Sequence, residues 1–209
     1  MSNNPESRGQ AAYSALLDAL RAGTYVPGDR LREEEVATKF ALSRTPVREA
    51  LRRLESDGIV EHRPRIGAVI RTLSHSEVVE LYEMRIVMER CAAELAAQHG
   101  SSAEFDALAS LNDQIEAERN APIKAVSINQ EFHHILCLAA RNQFLLQAAQ
   151  ALNYSLLLLG PSTYTDAKRI DEVVTQHRDI IAALRTGDKS AAGAAAETHL
   201  RHSLFCRLT

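Results

Sequence analysis

Two arginines set four residues apart are the first pair in the sequence whose type and spacing suit a definite chemistry. Arg44 and Arg48 lie in a segment, 43–54, with helical periodicity. Residues four apart project from one face of a helix, and a guanidinium reads guanine O6 and N7 through two hydrogen bonds. Thr45 and the free backbone N–H groups at the helix start suit a phosphate. The segment therefore predicts a helix that reads bases in a DNA major groove.

Histidines in the second half of the chain form another candidate site. His133, His177 and His199 fall on three different predicted helices, and Asn129 lies one turn before His133. Three imidazoles and one side-chain oxygen that converge inside a helical bundle would hold a divalent metal with coordination positions left open. Spacing alone also allows ordinary surface or core histidines. Two neighbouring histidines remain alternatives for the inward positions, namely His134 and His202.

The composition limits the class of protein that carries these residues. The chain has 209 residues, is 45% hydrophobic and has no Trp, so Leu, Ala, Ile and Val must build the cores. No run of about 18 uncharged apolar residues occurs, which predicts no membrane span. The polar start of the sequence lacks the apolar core of a secretory signal. We therefore expect a cytoplasmic protein without membrane contact.

Charge and cysteine usage point the same way. The net charge of −3 conceals a basic segment, 43–71, that holds seven arginines against four acidic residues. An arginine patch in an acidic protein predicts a local contact with a polyanion. The three cysteines are scattered and form no CxxC pair, so neither a disulfide framework nor a zinc ribbon is expected. They are Cys91, Cys137 and Cys206, and burial as reduced thiols is the expectation.

The elements that must position the arginines are three helices and a hairpin. Apolar residues at i, i+3, i+4 and i+7 predict a helix around 13–20, and a short helix follows over 33–40. A third helix begins near Ser43 or Thr45. Two short strands, 59–63 and 68–71, enclose a basic tip with Arg65 and Gly67 that could reach a minor groove. This order predicts a winged helix-turn-helix domain over residues 1–73.

The elements that must position the histidines are all helical. From Ser74 onward the apolar period stays at 3.6, interrupted by Gly, Pro and Asn at regular intervals. We predict a mainly α protein in which residues 74–209 form an all-α antiparallel six-helix bundle. The predicted helices are 75–98, 102–119, 122–140, 142–159, 167–186 and 188–207.

The first 73 residues resemble a known family. The segments 27–31, 43–51 and 58–60, together with Gly67, are similar to the N-terminal domain of GntR-type transcription regulators. The resemblance implies that Arg44 and Arg48 read bases, that Thr45 holds a phosphate and that Gly67 lies in the DNA-contacting wing. Members of the FadR-like branch carry a DNA-contacting arginine where this chain has Glu34. Arg32 is the candidate substitute.

The remaining residues resemble the FCD effector domain of that branch, and six helices are typical of its VanR-type subgroup. The motifs include 80–85, 129–133, Arg141-Asn142 and Gly187-Asp188. The resemblance implies a divalent metal ion, with zinc or nickel the leading candidates. The implied ligands are Asn129, His133, His177 and His199. The usual first ligand of the family is Asp, and a neutral Asn should hold a cation more weakly, although its carbonyl oxygen still coordinates.

The resemblance also implies an effector. Similar domains bind small carboxylates, whose oxygens fill the open metal positions while an arginine takes the remaining charge. Arg85 is the candidate, because a guanidinium pairs with a carboxylate through two parallel hydrogen bonds. The alternative for Arg85 is a structural ion pair with Glu89, four residues later on the same helix.

These expectations combine into a ligand-responsive regulator, a repressor or an activator. One helix reads few bases, so a homodimer on a near-palindromic operator is expected. One alternative keeps the DNA-binding domain and leaves the helical domain free of metal, for dimerisation or metal-free effector binding. A metal-dependent hydrolase is the other, but no HExxH or other catalytic signature occurs. We therefore predict a regulator and not an enzyme.

Overall fold

The computed structural model describes residues 5–160, 163–164 and 167–209, with side chains from residue 8 onward. Over these residues the protein is mainly helical and contains one two-stranded sheet, which confirms the predicted fold class. The chain divides into two compact units, each with its own core. The first comprises Met1–Leu73 and Asn153–Gly160, and the second Ser74–Leu152 and Pro161–Thr209.

The first unit has the predicted order of three helices and a hairpin. Its elements are α1 (Pro5–Arg21), α2 (Glu33–Lys39), α3 (Arg44–Ser56), β1 (Val60–Arg63) and β2 (Gly67–Ile70). The strands pair antiparallel, with Val60 opposite Ile70 and Arg63 opposite Gly67. The result is a winged helix-turn-helix.

The amphipathic character of α3 fixes its position in this unit. Val47 and Leu54 are fully buried and Ala50 almost so, and they pack with residues of α1 and β2. Ser43 lies at the N-cap position, as one of the two predicted caps, but its side chain makes no capping hydrogen bond. Burial of one stripe therefore sets the orientation of α3 and leaves its other face to solvent.

A short segment distant in sequence completes the first core. Leu158 is 3% exposed and packs with this cluster, as do the half-buried Tyr154 and Leu157. The first unit thus contains residues 153–160 in addition to the expected residues 1–73. The sequence does not predict this contact, because residues 153–159 have the pattern expected for the apolar end of the predicted helix 142–159.

The second unit contains six helices within the described residues, as predicted. They are α4 (His75–His99), α5 (Ser102–Ala117), α6 (Pro122–Ala139), α7 (Gln143–Leu156), α8 (Ala167–Thr186) and α9 (Lys189–Leu208). The last four residues of α7 and the 3-10 turn that follows it, Leu157–Leu159, belong to the first unit. Ser74 caps α4 in a reciprocal capping box with Glu77. Such caps satisfy backbone N–H groups that a helix start leaves open.

Small residues bring the helices of this unit together. Ala93 and Ala96 of α4 are fully buried, and α4 packs along α9. A side chain at Gly193 of α9 would come within 2.6 Å of Glu94 on α4. Phe132 and Leu136 of α6 fill the space between these helices and α8. The close packing places buried polar residues of α4, α6, α8 and α9 within reach of one another.

Two further expectations can be compared with the fold. None of the helices in the described ranges is long and apolar enough to cross a membrane.

Cys137 is buried, and burial together with nearby Glu89 raises the pKa of its thiol to about 12. Cys206 is half-buried and Cys91 is exposed, so the expectation of three buried thiols was wrong for Cys91, which lies on the solvent side of α4.

Candidate functional site

The outer face of α3 carries both arginines that the sequence singled out. The side chains of Arg44 and Arg48 are 58% and 55% exposed, whereas Val47 between them is fully buried. Thr45 is also exposed, in the first turn of the helix. The two guanidiniums and the N-terminal turn of α3 are therefore open to a partner on one side of the first unit.

Acidic residues of α2 pair with these arginines. Nε and Nη2 of Arg48 each donate to one oxygen of Glu33, both at 2.8 Å. Arg44 forms an ion pair with Glu34. The hydrogen bond from Arg48 lowers the pKa of Glu33. Exposed ion pairs of this kind contribute little to stability, so a phosphate or a base edge can replace the carboxylates.

A concave surface that encloses about 600 Å³ lies between α3 and the β1–β2 hairpin, which forms the wing. Arg32 lines it from the start of α2, where it pairs with Glu35 at 2.8 Å. Gly67 lines it from the wing and has a φ of +96°, which other residues adopt only with strain. Arg65 is exposed at the hairpin tip. Four of the six predicted DNA-contacting residues therefore line this surface, namely Arg32, Arg44, Arg48 and Gly67, whereas Thr45 and Arg65 are exposed but are not part of its lining.

Three histidines meet in the second unit. His133 of α6, His177 of α8 and His199 of α9 are buried, and each offers a ring nitrogen within 4.8 Å of the others. The ring centroids lie 4.7–5.5 Å apart. His134 is half-buried beside this cluster, and His202 instead contacts Glu172 at 2.9 Å. The histidine cluster, as we call His133, His177 and His199, therefore matches the predicted set.

An oxygen lies beside the Nδ1 atom of each histidine in the cluster. Nδ1 of His177 is 3.1 Å from Oδ1 of Asn112, and Nδ1 of His199 is 2.9 Å from Oε1 of Gln176. Amide oxygens only accept, so both Nδ1 atoms carry the proton and leave Nε2 with a lone pair. Nδ1 of His133 lies 2.5 Å from Oε2 of Glu89, although not aligned as a regular hydrogen bond. Such outer partners orient metal-ligating imidazoles.

Two of the predicted metal ligands have buried polar atoms that no described residue satisfies. Nε2 of His177 and Oδ1 of Asn129 are buried without a hydrogen-bond partner. Burial, followed by the charge of His133, lowers the pKa of His177 well below its ordinary value. Burial and the neighbouring histidines do the same for His199. Neutral imidazoles with free lone pairs are the form that binds a cation, so the donor set fits a divalent metal.

Arg85 forms an ion pair with Glu89, which was the alternative to effector binding that the sequence left open. Its Nη2 donates to Oε1 of Glu89 at 2.8 Å, and both side chains are only 10% exposed. Its guanidinium also stacks on Tyr82, 5.1 Å from the ring centre. Burial alone would raise the pKa of Glu89, but His133 and Arg85 outweigh it and hold that pKa well below its ordinary range. The Arg85 charge is thus neutralised within the protein.

Several residues around the histidine cluster were missed from the sequence. Asn112 and Gln176 carry no motif and became visible only through their contacts with imidazoles. Arg169 is buried on α8, and it does have a signal: it lies eight residues before His177, on the same face of the helix. An inward arginine at helical spacing from a predicted ligand could have been noticed.

A winged helix-turn-helix with outward arginines, followed by a helical unit with a buried polar cluster, defines a DNA-binding transcription regulator with a sensing domain. Residues 8–70 match the family of bacterial regulatory proteins, gntR family, and residues 80–202 match the FCD domain. The chain belongs to the GntR family and carries an FCD domain. This confirms the family resemblance found in the sequence.

Known proteins agree with this assignment. The chain is 30% identical to the HTH-type transcriptional regulator YdhC of Bacillus subtilis (strain 168), over 91% of this chain and 86% of the relative. It is 27% identical to the HTH-type transcriptional repressor RspR of Escherichia coli (strain K12), over 92% and 85%. The structure of E. coli McbR/YncC has the same fold, with a TM-score of 0.82, 19% identity and 96% coverage of both chains. YdhC and RspR are named as a transcription regulator and a repressor, in agreement with the prediction of a regulator.

Proposed function

We propose that this regulator works in the cytoplasm as a homodimer of the FadR-like branch, and that a small carboxylate bound at a metal centre controls its operator affinity. The observation that carries the proposal is the histidine cluster. Its three buried imidazoles come from three helices, and their Nδ1 atoms face oxygens of Asn112, Gln176 and Glu89. Histidines that only filled a core would have no reason to place ring nitrogens within 4.8 Å of one another.

The DNA-reading part of the proposal assigns a role to each exposed residue. Arg44 and Arg48 read base edges in the major groove, and Thr45 with the first turn of α3 binds a phosphate. The hairpin tip approaches the minor groove through Arg65 and Gly67. Arg32 adds a contact from the start of α2, since Glu34 occupies the position of the family arginine. Two copies of this surface supply the length of site that one helix lacks.

The sensing part assigns the metal to Asn129, His133, His177 and His199. A divalent ion held there supplies a Lewis-acidic position for carboxylate oxygens. Burial keeps His177 and His199 neutral and excludes water, and the oxygens of Asn112 and Gln176 fix the tautomers of these two imidazoles. Glu89 lies beside Nδ1 of His133 and orients that imidazole, while its charge is shared with Arg85. Ligand type alone allows zinc, nickel, iron or manganese.

Metal content tests the proposal directly. Protein purified without added metal should contain about one divalent ion per chain by elemental analysis, and His133→Ala should lose it. His134→Ala is the matched control, because His134 is the next residue on α6 and lies outside the histidine cluster. Equal metal content in wild type and His133→Ala would contradict the metal centre and favour the metal-free form of the regulator.

A further inference from the structure

Arg169 of α8 is a buried cation whose hydrogen-bonding capacity is largely unused. Its side chain is 6% exposed. Nη2 donates to Oγ of Ser203 on α9 at 2.9 Å. Nε and Nη1 are buried and have no hydrogen-bond partner among the described residues. A guanidinium carries five N–H donors, so most of them remain open to a ligand.

No carboxylate of the described residues neutralises this charge at hydrogen-bond distance. Oε2 of Glu172 lies 3.7 Å from Nη1, and that same oxygen already accepts from His202 at 2.9 Å. Glu172 is moreover 36% exposed, so water screens it. An isolated buried charge is strongly unfavourable unless it is paired. Burial of this charge destabilises the folded state, and a bound anion would offset that destabilisation.

The position of Arg169 relates it to the histidine cluster. Arg169 and His177 share the inward face of α8, and Ser203 lies four residues after His199 on α9. Four residues of helix correspond to about 6 Å, so the Ser203 contact holds the guanidinium roughly one turn from His199. The guanidinium therefore lies within reach of a ligand that also contacts the cluster.

The contrast with Arg85 decides which arginine is available. Arg85 and Glu89 form a buried pair, and Glu89 also faces His133. An effector carboxylate at Arg85 would have to compete with Glu89 or stand close to a like charge. An effector carboxylate at Arg169 meets neither obstacle, because Glu172 is farther away and engaged with His202.

We propose that Arg169 is the effector-binding arginine and that the effector is a short dicarboxylate. One carboxylate lies at the histidine cluster, and the other pairs with the fork of Nε and Nη1 on Arg169. The separation of about one helical turn suits two acidic groups on a short carbon chain. This inference rests on the proposed function, because the first carboxylate needs the metal centre.

A chain-length series tests the inference on metal-loaded full-length protein. Acetate, malonate, succinate and glutarate are titrated by calorimetry, and metal content is measured in the same samples. We expect wild type to bind one of the dicarboxylates at least about tenfold more tightly than acetate, the effect of one charge-assisted contact. Arg169→Met should keep the metal and the acetate affinity but lose this preference. Arg169→Lys should keep only part of it, since an ammonium lacks the fork.

The control is Arg178→Ala, which removes an exposed arginine of the same helix that pairs with Glu116. It should leave the preference unchanged. Arg169→Met without ligand should melt at or above the wild-type temperature, because it removes a buried charge that no carboxylate pairs with at hydrogen-bond distance. A lower melting temperature would indicate a structural role and overturn the inference. A dicarboxylate preference that survives in Arg169→Met would also overturn it. Wild type that binds neither metal nor any carboxylate would contradict the proposed function itself.

Discussion

The first unit pairs Arg44 and Arg48 at its surface, whereas the second unit buries Arg169 without a carboxylate at hydrogen-bond distance. In the first unit, Arg44 and Arg48 are more than half exposed, and each is paired with an acidic residue of α2. In the second unit, the Arg169 side chain is 6% exposed, two of its three nitrogens have no hydrogen-bond partner among the described residues, and its ion pair with Glu172 is long, at 3.7 Å. The exposed arginines of α3 are thus neutralised by α2, whereas the charge of the buried Arg169 is not neutralised at hydrogen-bond distance.

This difference follows from where water can reach. An exposed arginine loses little when its carboxylate partner leaves, because water and salt screen both charges. Pairing therefore lets the first unit exchange Glu33 for a phosphate or base at small loss. A buried arginine has no such substitute, so an unpaired one raises the free energy of the folded state until an anion arrives. The comparison predicts that matched substitutions in the two units have unequal effects.

Glu89→Gln should produce the largest effect on stability. The substitution removes the negative member of a buried pair and leaves Arg85 uncompensated beside His133. Breaking a buried ion pair in this way destabilises a protein by about 3–5 kcal/mol. Urea unfolding of the metal-free protein at neutral pH measures the loss.

Glu83→Gln provides the control for this substitution, because Glu83 is an exposed residue of the same helix. It should change the free energy of unfolding by less than about 0.5 kcal/mol. If Glu89→Gln changed stability no more than Glu83→Gln, burial would not determine how strongly a charge affects the stability of this protein. The argument for Arg169 would then lose its physical basis.

The fold could be predicted from the sequence because its signals are local. The helical periodicity of segment 43–54 predicted α3, and the helical pattern that begins after Ser74 predicted α4. Residues 153–160 were not predictable in this way. Their contacts with the first core join positions far apart in sequence, and no periodicity reports such a contact.

The candidate sites were predictable to the extent that residue type alone signals chemistry. Three histidines on separate helices and two arginines a turn apart are such signals. Their partners are not, since Asn112, Gln176 and Glu33 are common residues with many possible roles. Whether Arg85 or Arg169 carries an unpaired charge depends on side-chain distances of a few ångströms, which spacing along a helix leaves undetermined.

Arg48→Ala should have an intermediate effect, and on DNA binding instead of folding. Loss of a bidentate guanine contact weakens specific binding by about 1–3 kcal/mol per contact. A duplex selected from random sequences by the wild-type protein serves as the operator in a fluorescence anisotropy titration. Arg21→Ala is the control, because Arg21 is an exposed arginine of α1 paired with Asp18. Unchanged operator affinity in Arg48→Ala would remove Arg48 from the reading surface.

Glu33→Gln should have the smallest effect on stability, less than about 1 kcal/mol, because the pair with Arg48 is exposed. Its effect on DNA should be opposite in sign to that of Arg48→Ala. With the competing carboxylate gone, affinity for a scrambled duplex should rise a few-fold at low salt and return toward wild type as salt increases. Asp18→Asn removes the same charge from α1, away from the concave surface, and should raise the affinity less. A lower affinity of Glu33→Gln for scrambled and selected duplexes alike would mean that Glu33 positions Arg48 for DNA and does not compete with it.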